Sequence, residues 1–223
     1  RPSMRRYIIL LIALMTSVAA MAQSGFGAYY DCRLTAHRKA GIPTGAIVWM
    51  GDSITEQGWW SYLTKERNII NLGIGGDTTP GMLARLPEIL EAQPTKIFFM
   101  GGVNDLSGNR PVKEIADNVR KMLVMVKERA PQCVVYLQSV ITPNDDVLAY
   151  PYAAGKQKQT SELNEHYKAL CDEGLAVWVD LRPLLHNEKG EVREELTKDG
   201  IHIHPEAYRI WVDHLKKMKY LRK

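Results

Sequence analysis

The sequence predicts a three-layer α/β/α sandwich built on a five-stranded parallel sheet, and three observations carry that prediction. Short runs rich in Val, Ile, Phe and Trp recur at 46–50, 68–72, 96–100, 133–140 and 176–181. Longer stretches with helical spacing follow them. No hairpin signal joins one run to the next. Strands covered on both faces read as continuous apolar runs, so this alternation implies βα units wound about one parallel sheet.

Each element has its own justification. The run at 46–50 closes at Gly51 and leads into a predicted helix over 54–66. The run at 68–72 passes into the glycine-rich NLGIGG at 71–76, ahead of a helix over 80–92. After 96–100 comes GGVND at 101–105, then a helix over 112–130. In that helix Ile115, Val119, Met122, Leu123 and Val126 share one stripe, while Lys113, Asp117, Lys121 and Lys127 lie elsewhere. Pro111 and Pro131 stand at its two ends, where prolines punctuate helices. The run at 133–140 is followed by the one long irregular segment, 142–160, and a helix over 161–173. The last run leads to Asp199-Gly200-Ile201-His202 and a final helix over 205–221. The cluster Lys216, Lys217, Lys219, Arg222 and Lys223 suits the negative end of that helix's dipole.

The N-terminus reads separately. Met4-Arg5-Arg6 is a basic start, Tyr7 to Val18 is mostly apolar, and Ala20-Met21-Ala22 offers small residues where a signal peptidase reads. Residues 1–22 are therefore expected to be a cleaved signal peptide and 23–223 a single domain. The apolar stretch reaches only the lower limit of the ~17–25 residues a spanning helix needs, so no stable membrane anchor is expected after cleavage. Arg1, Arg5 and Arg6 lie in that segment with no acid, so the remainder carries +1 against +4 for the whole chain. Nucleic acid is therefore no expected partner. Three cysteines, Cys32, Cys133 and Cys171, leave at least one thiol free. Cys133 and Cys171 read as small buried hydrophobes, with a disulfide from Cys32 to either as the alternative. No cysteine or histidine spacing fits a metal site, and no cofactor is expected.

Ligands bind beyond the carboxyl ends of the strands in such sheets, and four motifs fall on that edge. Gly51-Asp52-Ser53-Ile54 places a serine at a strand end before a helix, where it can serve as a nucleophile or, more blandly, as an N-cap. Asp52 adjoins it and reads as a hydrogen-bond acceptor that holds the loop. His202 needs a group to fix its tautomer, and Asp199, three residues earlier, can reach its other ring nitrogen. His204 is the rival base; otherwise it caps the last helix or supports the site. Gly76 can bring a backbone N–H close to an acyl carbon, and Asn104 can add a side-chain N–H; the alternatives are a tight turn and a loop-stabilising amide. Together these residues predict a Ser–His–Asp hydrolase, with the Ser53 N–H, a loop glycine and Asn104 as candidate oxyanion donors.

The four blocks resemble the SGNH hydrolases of the GDSL esterase family over residues 46 to 215. They are GDSIT with Ser53, Asn71 to Gly76 ahead of Asp77-Thr78-Thr79, Gly-Val-Asn-Asp with Asn104, and Asp-x-x-His with Asp199 and His202. The chain resembles the branch of platelet-activating-factor acetylhydrolase and carbohydrate O-acetylesterases. GIGGDTTPGMLARL is also similar to bacterial lysophospholipases and thioesterases. One departure is His204, where many relatives carry a small polar residue. The resemblance implies Gly76 as the glycine donor to the oxyanion, a flavodoxin-like SGNH fold and an exported, periplasmic or extracellular serine esterase that removes short acyl groups, acetyl foremost, from carbohydrate esters.

The alternatives are a lysophospholipase or thioesterase and, more remotely, a glycan-binding module that keeps only the fold. Trp59 and Trp60 are candidates to wall the acyl or sugar site, with core packing of at least one as the alternative. Tyr150 and Tyr152 are candidates to stack on a sugar or to anchor the 142–160 segment, which itself reads as a substrate loop or a plain excursion. Arg85 and Asn164 are expected to be structural, and His37, His166, His186 and His214 to lie on the surface or on helix faces.

Overall fold

The computed structural model describes residues 25–222. The predicted signal segment lies outside the described residues. Among those described, no helix is long and apolar enough to cross a membrane.

Five strands form the sheet: β1 (Ile47–Gly51), β2 (Ile69–Gly73), β3 (Lys96–Met100), β4 (Val134–Gln138) and β5 (Val177–Val179). All neighbours pair in parallel, in the order β2-β1-β3-β4-β5 of flavodoxin-like sheets. Each strand falls within its predicted run or is offset from it by a single residue. The helices are α1 (Ala28–Ala40), α2 (Ser53–Glu56), α3 (Trp60–Thr64), α4 (Thr79–Glu91), α5 (Val103–Ser107), α6 (Val112–Arg129), α7 (Gln157–Asp172), α8 (Arg182–Leu185) and α9 (Pro205–Lys217).

Register explains the core. Trp49 on β1 pairs with Phe98 on β3, and Phe98 with Tyr136 on β4. The three rings therefore project on one face and stack at 4.6 and 4.7 Å between centroids. Trp60 of α3 lies flat on Trp49 at 3.5 Å, and Trp211 of α9 meets both edge-on. The Trp211 indole N–H finds Gln138 Oε1 at 2.7 Å. Such aromatic pairs add ~0.5–1.5 kcal/mol each beyond the burial of their area. The alternate positions Val48, Met50, Ile97, Phe99, Val135 and Leu137 are buried on the opposite face, where α4 packs against α6 and α6 against α7.

Three departures from the expected elements have physical causes. The predicted 54–66 helix is two short helices, because a Cβ at Gly58 would collide with the Trp60 indole that turns inward there. Helix α1 carries no apolar stripe in sequence, since Tyr30 is its one fully buried residue. It is held instead by long-range bonds: Tyr30 Oη to the Gly81 carbonyl at 2.8 Å and Arg38 to Glu88. The 142–160 segment holds two 3₁₀ turns and the first residues of α7, and it is tied to the chain around residue 199.

Cys133 is buried, Cys171 half-buried and Cys32 exposed, and all three are free, so the disulfide alternative falls away. His166 is exposed. His37 and His214 lie half-buried on α1 and α9, as expected, whereas His186 is a half-buried residue just beyond α8; burial pushes the His37 and His186 imidazoles down to about 4. The neutral His186 Nε2 accepts the Thr142 N–H.

Candidate active site

Strand β1 and the short α2 set Ser53 at the carboxyl edge of the sheet. Asp52 is the N-cap of α2, with Oδ1 accepting the Ile54 N–H at 3.0 Å. It holds the turn that displays the serine, as its sequence position suggests. Burial pushes its carboxyl up to about 7, and the charges of Asp77 and Asp105 add to that.

The chain around residue 199 brings the imidazole. His202 Nε2 lies 2.9 Å from Ser53 Oγ, and Nδ1 lies 2.7 Å from Asp199 Oδ2. Asp199 Oδ1 accepts the backbone N–H of His202 at 2.8 Å and of Ile201 at 3.1 Å. Burial opposes the charge on Asp199, but these bonds outweigh it and hold the carboxyl below its ordinary value. Both oxygens are thus committed, and the second fixes the ring that faces Ser53.

A glycine makes this turn possible. Gly200 has φ +85°, and a Cβ there would sit 2.7 Å from the Leu148 Cα. The 142–160 segment therefore packs directly on the turn, with Asn144 N–H on the Gly200 carbonyl (2.8 Å) and Ala149 N–H on that of Asp199 (2.9 Å). The hydrogen bonds to Ser53 and Asp199 come from His202 and not from His204. His204 occupies the N-cap position of α9, but its side chain makes no capping bond, so the capping expectation is corrected.

The opposite wall is the loop after β2. Gly76 has φ +76° and open space where a Cβ would be, so backbone conformation is what calls for glycine there. Gly75 N–H is held by Glu56 Oε2 at 2.7 Å. Asn104, on α5, donates from Nδ2 to the Asp77 carbonyl at 2.9 Å, which leaves the second N–H of that amide. Among the described residues no acceptor takes the backbone N–H of Ser53 or of Gly76.

Supporting contacts that sequence reasoning missed converge on the same loop. Glu56 Oε1 accepts Tyr29 Oη at 2.8 Å and faces Arg33 Nε at 2.7 Å, so α1 braces the glycine loop through one carboxylate. Its only sequence signal is its place three residues after Ser53. Asn71 bonds the carbonyls of Thr55, Glu56 and Gly58 and accepts the Gly73 N–H, closing the end of α2. Asp105 holds Thr79 through both N–H and Oγ1. Arg85 is fully buried and Asn164 bonds both polar groups of Val140, as structural roles require.

The aromatic candidates divide. Tyr150 meets the His202 ring edge-on at 6.0 Å, and the Asp199 charge pushes its phenol up. Tyr152 is exposed beside it, 5.8 Å away. Trp59 is exposed and borders a cleft next to the site. Trp60 is not available to a substrate: it is sandwiched in the aromatic core, with its indole N–H on the Thr55 carbonyl.

A hydroxyl bonded to an imidazole, a carboxylate behind that imidazole, and free N–H groups opposite form a constellation suited to acyl transfer. The family model of the GDSL-like lipases and acylhydrolases matches residues 49–210, which include every residue of this constellation. The chain belongs to that family and is an ester-hydrolysing enzyme. It is 29% identical over 173 residues to an arylesterase of Vibrio mimicus, covering 71% of this chain and 80% of that protein. A GDSL-like lipase of Bacteroides thetaiotaomicron superposes with a TM-score of 0.72 at 23% identity, covering 86% of this chain and 98% of the other. A variant of an acetyl-xylooligosaccharide esterase of Geobacillus superposes with a TM-score of 0.63 at 18% identity, covering 79% and 94%. At these identities the two structural likenesses speak for the fold.

Proposed function

We propose that the protein is an exported serine esterase that removes short acyl groups, chiefly acetyl, from carbohydrate esters. The observation that carries the catalytic part is the His202 ring, bonded to Ser53 on one side and Asp199 on the other. Ser53 Oγ attacks the ester carbonyl while its proton passes to His202 Nε2. The carbonyl oxygen becomes an oxyanion that receives the Ser53 and Gly76 N–H groups and the spare N–H of Asn104; one such donor is worth ~3 kcal/mol. Asp199 stabilises the imidazolium. Collapse breaks the C–O bond, and His202 gives its proton to the leaving alcohol. His202 then takes a proton from water, whose oxygen attacks the acyl-serine, and the acid departs as Ser53 regains the proton.

Short acyl groups are favoured because the triad sits at an open strand-end edge, with the His202 and Asp199 side chains 18% and 21% exposed. Export rests on the basic-apolar-small pattern of residues 4–22. The test is a screen of the protein lacking residues 1–22 against acetylated xylooligosaccharides, lysophosphatidylcholine and an acyl-thioester, beside p-nitrophenyl acetate. Acetyl-sugar hydrolysis should lead, and Ser53→Ala should abolish it by several orders of magnitude in a folded protein. A folded Ser53→Ala protein that keeps more than about a tenth of the activity would overturn the serine assignment.

A further inference from the structure

Between α3 and the start of α9 lies a cleft of about 650 Å³. It shares its wall with both segments that build the triad. Gln57 donates its N–H to the Ser53 carbonyl at 3.0 Å, and Lys198 immediately precedes Asp199. Lys198 Nζ and Gln57 Oε1 are joined at 2.8 Å, linking the two segments at the rim.

Two large aromatic side chains border this cleft in water. Trp59 is 63% exposed and Tyr62 79%, while Trp49, Trp60 and Trp211 are wholly buried. Charged groups complete the rim: Glu206 and Arg209, both exposed, pair with each other on the first turns of α9. The combination discriminates among ligands. A pyranose presents an apolar C–H face to an aromatic ring and a periphery of hydroxyls that need both donors and acceptors. Leu63, Ile203 and Pro205 line the cleft beside the rings, so a fatty acyl chain would use that apolar surface and leave the charged rim without partners, whereas a pyranose uses both. The volume falls within the ~300–1,000 Å³ of small-molecule sites.

The geometry points to this cleft as the subsite for a pyranose unit of the saccharide ester, with the Trp59 indole as its stacking platform and Lys198, Gln57, Glu206 and Arg209 available to its hydroxyls. The assignment deepens the proposed function and rests on it for the acyl-transfer step, but saccharide binding can be measured without catalysis. It also gives neighbouring tryptophans opposite tasks: Trp60 completes the core and Trp59 receives the sugar.

The experiment uses Ser53→Ala protein titrated with xylotriose and maltotriose, followed by tryptophan fluorescence and calorimetry. At least one trisaccharide should bind saturably, more weakly by about tenfold with Trp59→Ala and near the original affinity with Trp59→Phe. In the active enzyme, Trp59→Ala should lower the ratio of kcat/KM on acetylated xylooligosaccharide to that on p-nitrophenyl acetate by about the same factor. Absence of trisaccharide binding, trisaccharide binding indifferent to Trp59→Ala, or octanoate binding that depends on Trp59 in its place, would each overturn the subsite. Saccharide binding with no hydrolysis of p-nitrophenyl acetate by the unmutated enzyme would leave the subsite standing and remove the catalytic reading instead.

Discussion

Arg85 Nε donates to Asp77 Oδ2 over 3.0 Å, with both side chains only 1% exposed. The same guanidinium bonds the Leu72 carbonyl at 2.6 Å and the Gly51 carbonyl at 3.1 Å. One planar fork therefore ties the end of β2, the end of the serine-bearing β1 and the residue after Gly76. The proposed oxyanion donors on β1 and on the glycine loop are set relative to each other by this group.

Replacing it tests that coupling. Arg85→Lys keeps the charge but cannot present donors in three fixed directions. Removing one partner of a buried ion pair costs ~3–5 kcal/mol, and Arg85→Met should approach that figure. Arg85→Lys should lose less stability, yet its kcat on p-nitrophenyl acetate should fall at least about tenfold, because donor placement suffers even where charge is kept. Thermal melts and steady-state kinetics on the two variants separate the effects. Full activity in a folded Arg85→Lys protein would show that the loop holds its position without the fork.

The second prediction concerns the two histidines. His202→Ala should be as severe as Ser53→Ala, whereas His204→Ala should lose at most about tenfold, since its side chain makes no hydrogen bond at the N-cap of α9. Asp199→Asn should fall between them: the ring keeps its place and loses the charge that stabilises the imidazolium, a change worth ~10⁴ in the serine-protease analogue. Kinetics on p-nitrophenyl acetate decide it, and a reversal of the two histidine severities would sink the base assignment.

Much of this was legible because the signals were local. Strands buried on both faces spell continuous apolar runs, so β1 to β5 could be read directly. Ser53 and His202 are far apart in the chain, but Asp-x-x-His announces its own pairing, which the turn realises through Asp199 Oδ1 and Oδ2. What could not be read depends on tertiary contact. Helix α1 buries Tyr30 alone and so carries no periodic stripe. Glu56 looks like any helix-surface acid until α1 and Gly75 arrive on its two oxygens. Trp59 and Trp60 differ only in which way the chain turns at Gly58, a matter settled by the indole stacking on Trp49.

The third prediction follows from Asp52. Its Oδ2 has no partner, and burial pushes the carboxyl up to about 7 from the ordinary 3.8. A folded value above the unfolded one means that its contribution to stability is fully present below about pH 4 and is lost as pH rises through about 7. Asp77, pushed up to about 6 by burial against the pull of Arg85, acts in the same direction. Asp199, held below its ordinary value, acts oppositely, its contribution lost as pH falls, and is common to both proteins compared. Asn at position 52 keeps an oxygen for the Ile54 N–H and carries no charge. Asp52→Asn should therefore gain Tm relative to the unmutated protein as pH rises from about 4 to about 8. A Tm difference that does not move with pH would mean that Asp52 titrates normally.

The last prediction concerns acyl length. A longer chain raises kcat/KM only if its methylenes leave water, at ~0.8 kcal/mol for each one buried. The proposed triad lies at the strand-end edge, with His202 and Asp199 partly exposed. The segment most able to roof it, 142–160, is instead committed to the Asp199–Gly200 turn through Asn144 and Ala149. The neighbouring cleft mixes Leu63, Ile203 and Pro205 with Lys198, Gln57, Glu206 and Arg209, and it is the proposed place of a pyranose rather than of an alkyl chain. Hydrolysis of p-nitrophenyl esters should accordingly peak between acetate and butyrate and decline beyond. A kcat/KM that keeps climbing to octanoate or longer would require a buried acyl channel, and the proposed carbohydrate-ester function would give way to a lipid-ester one.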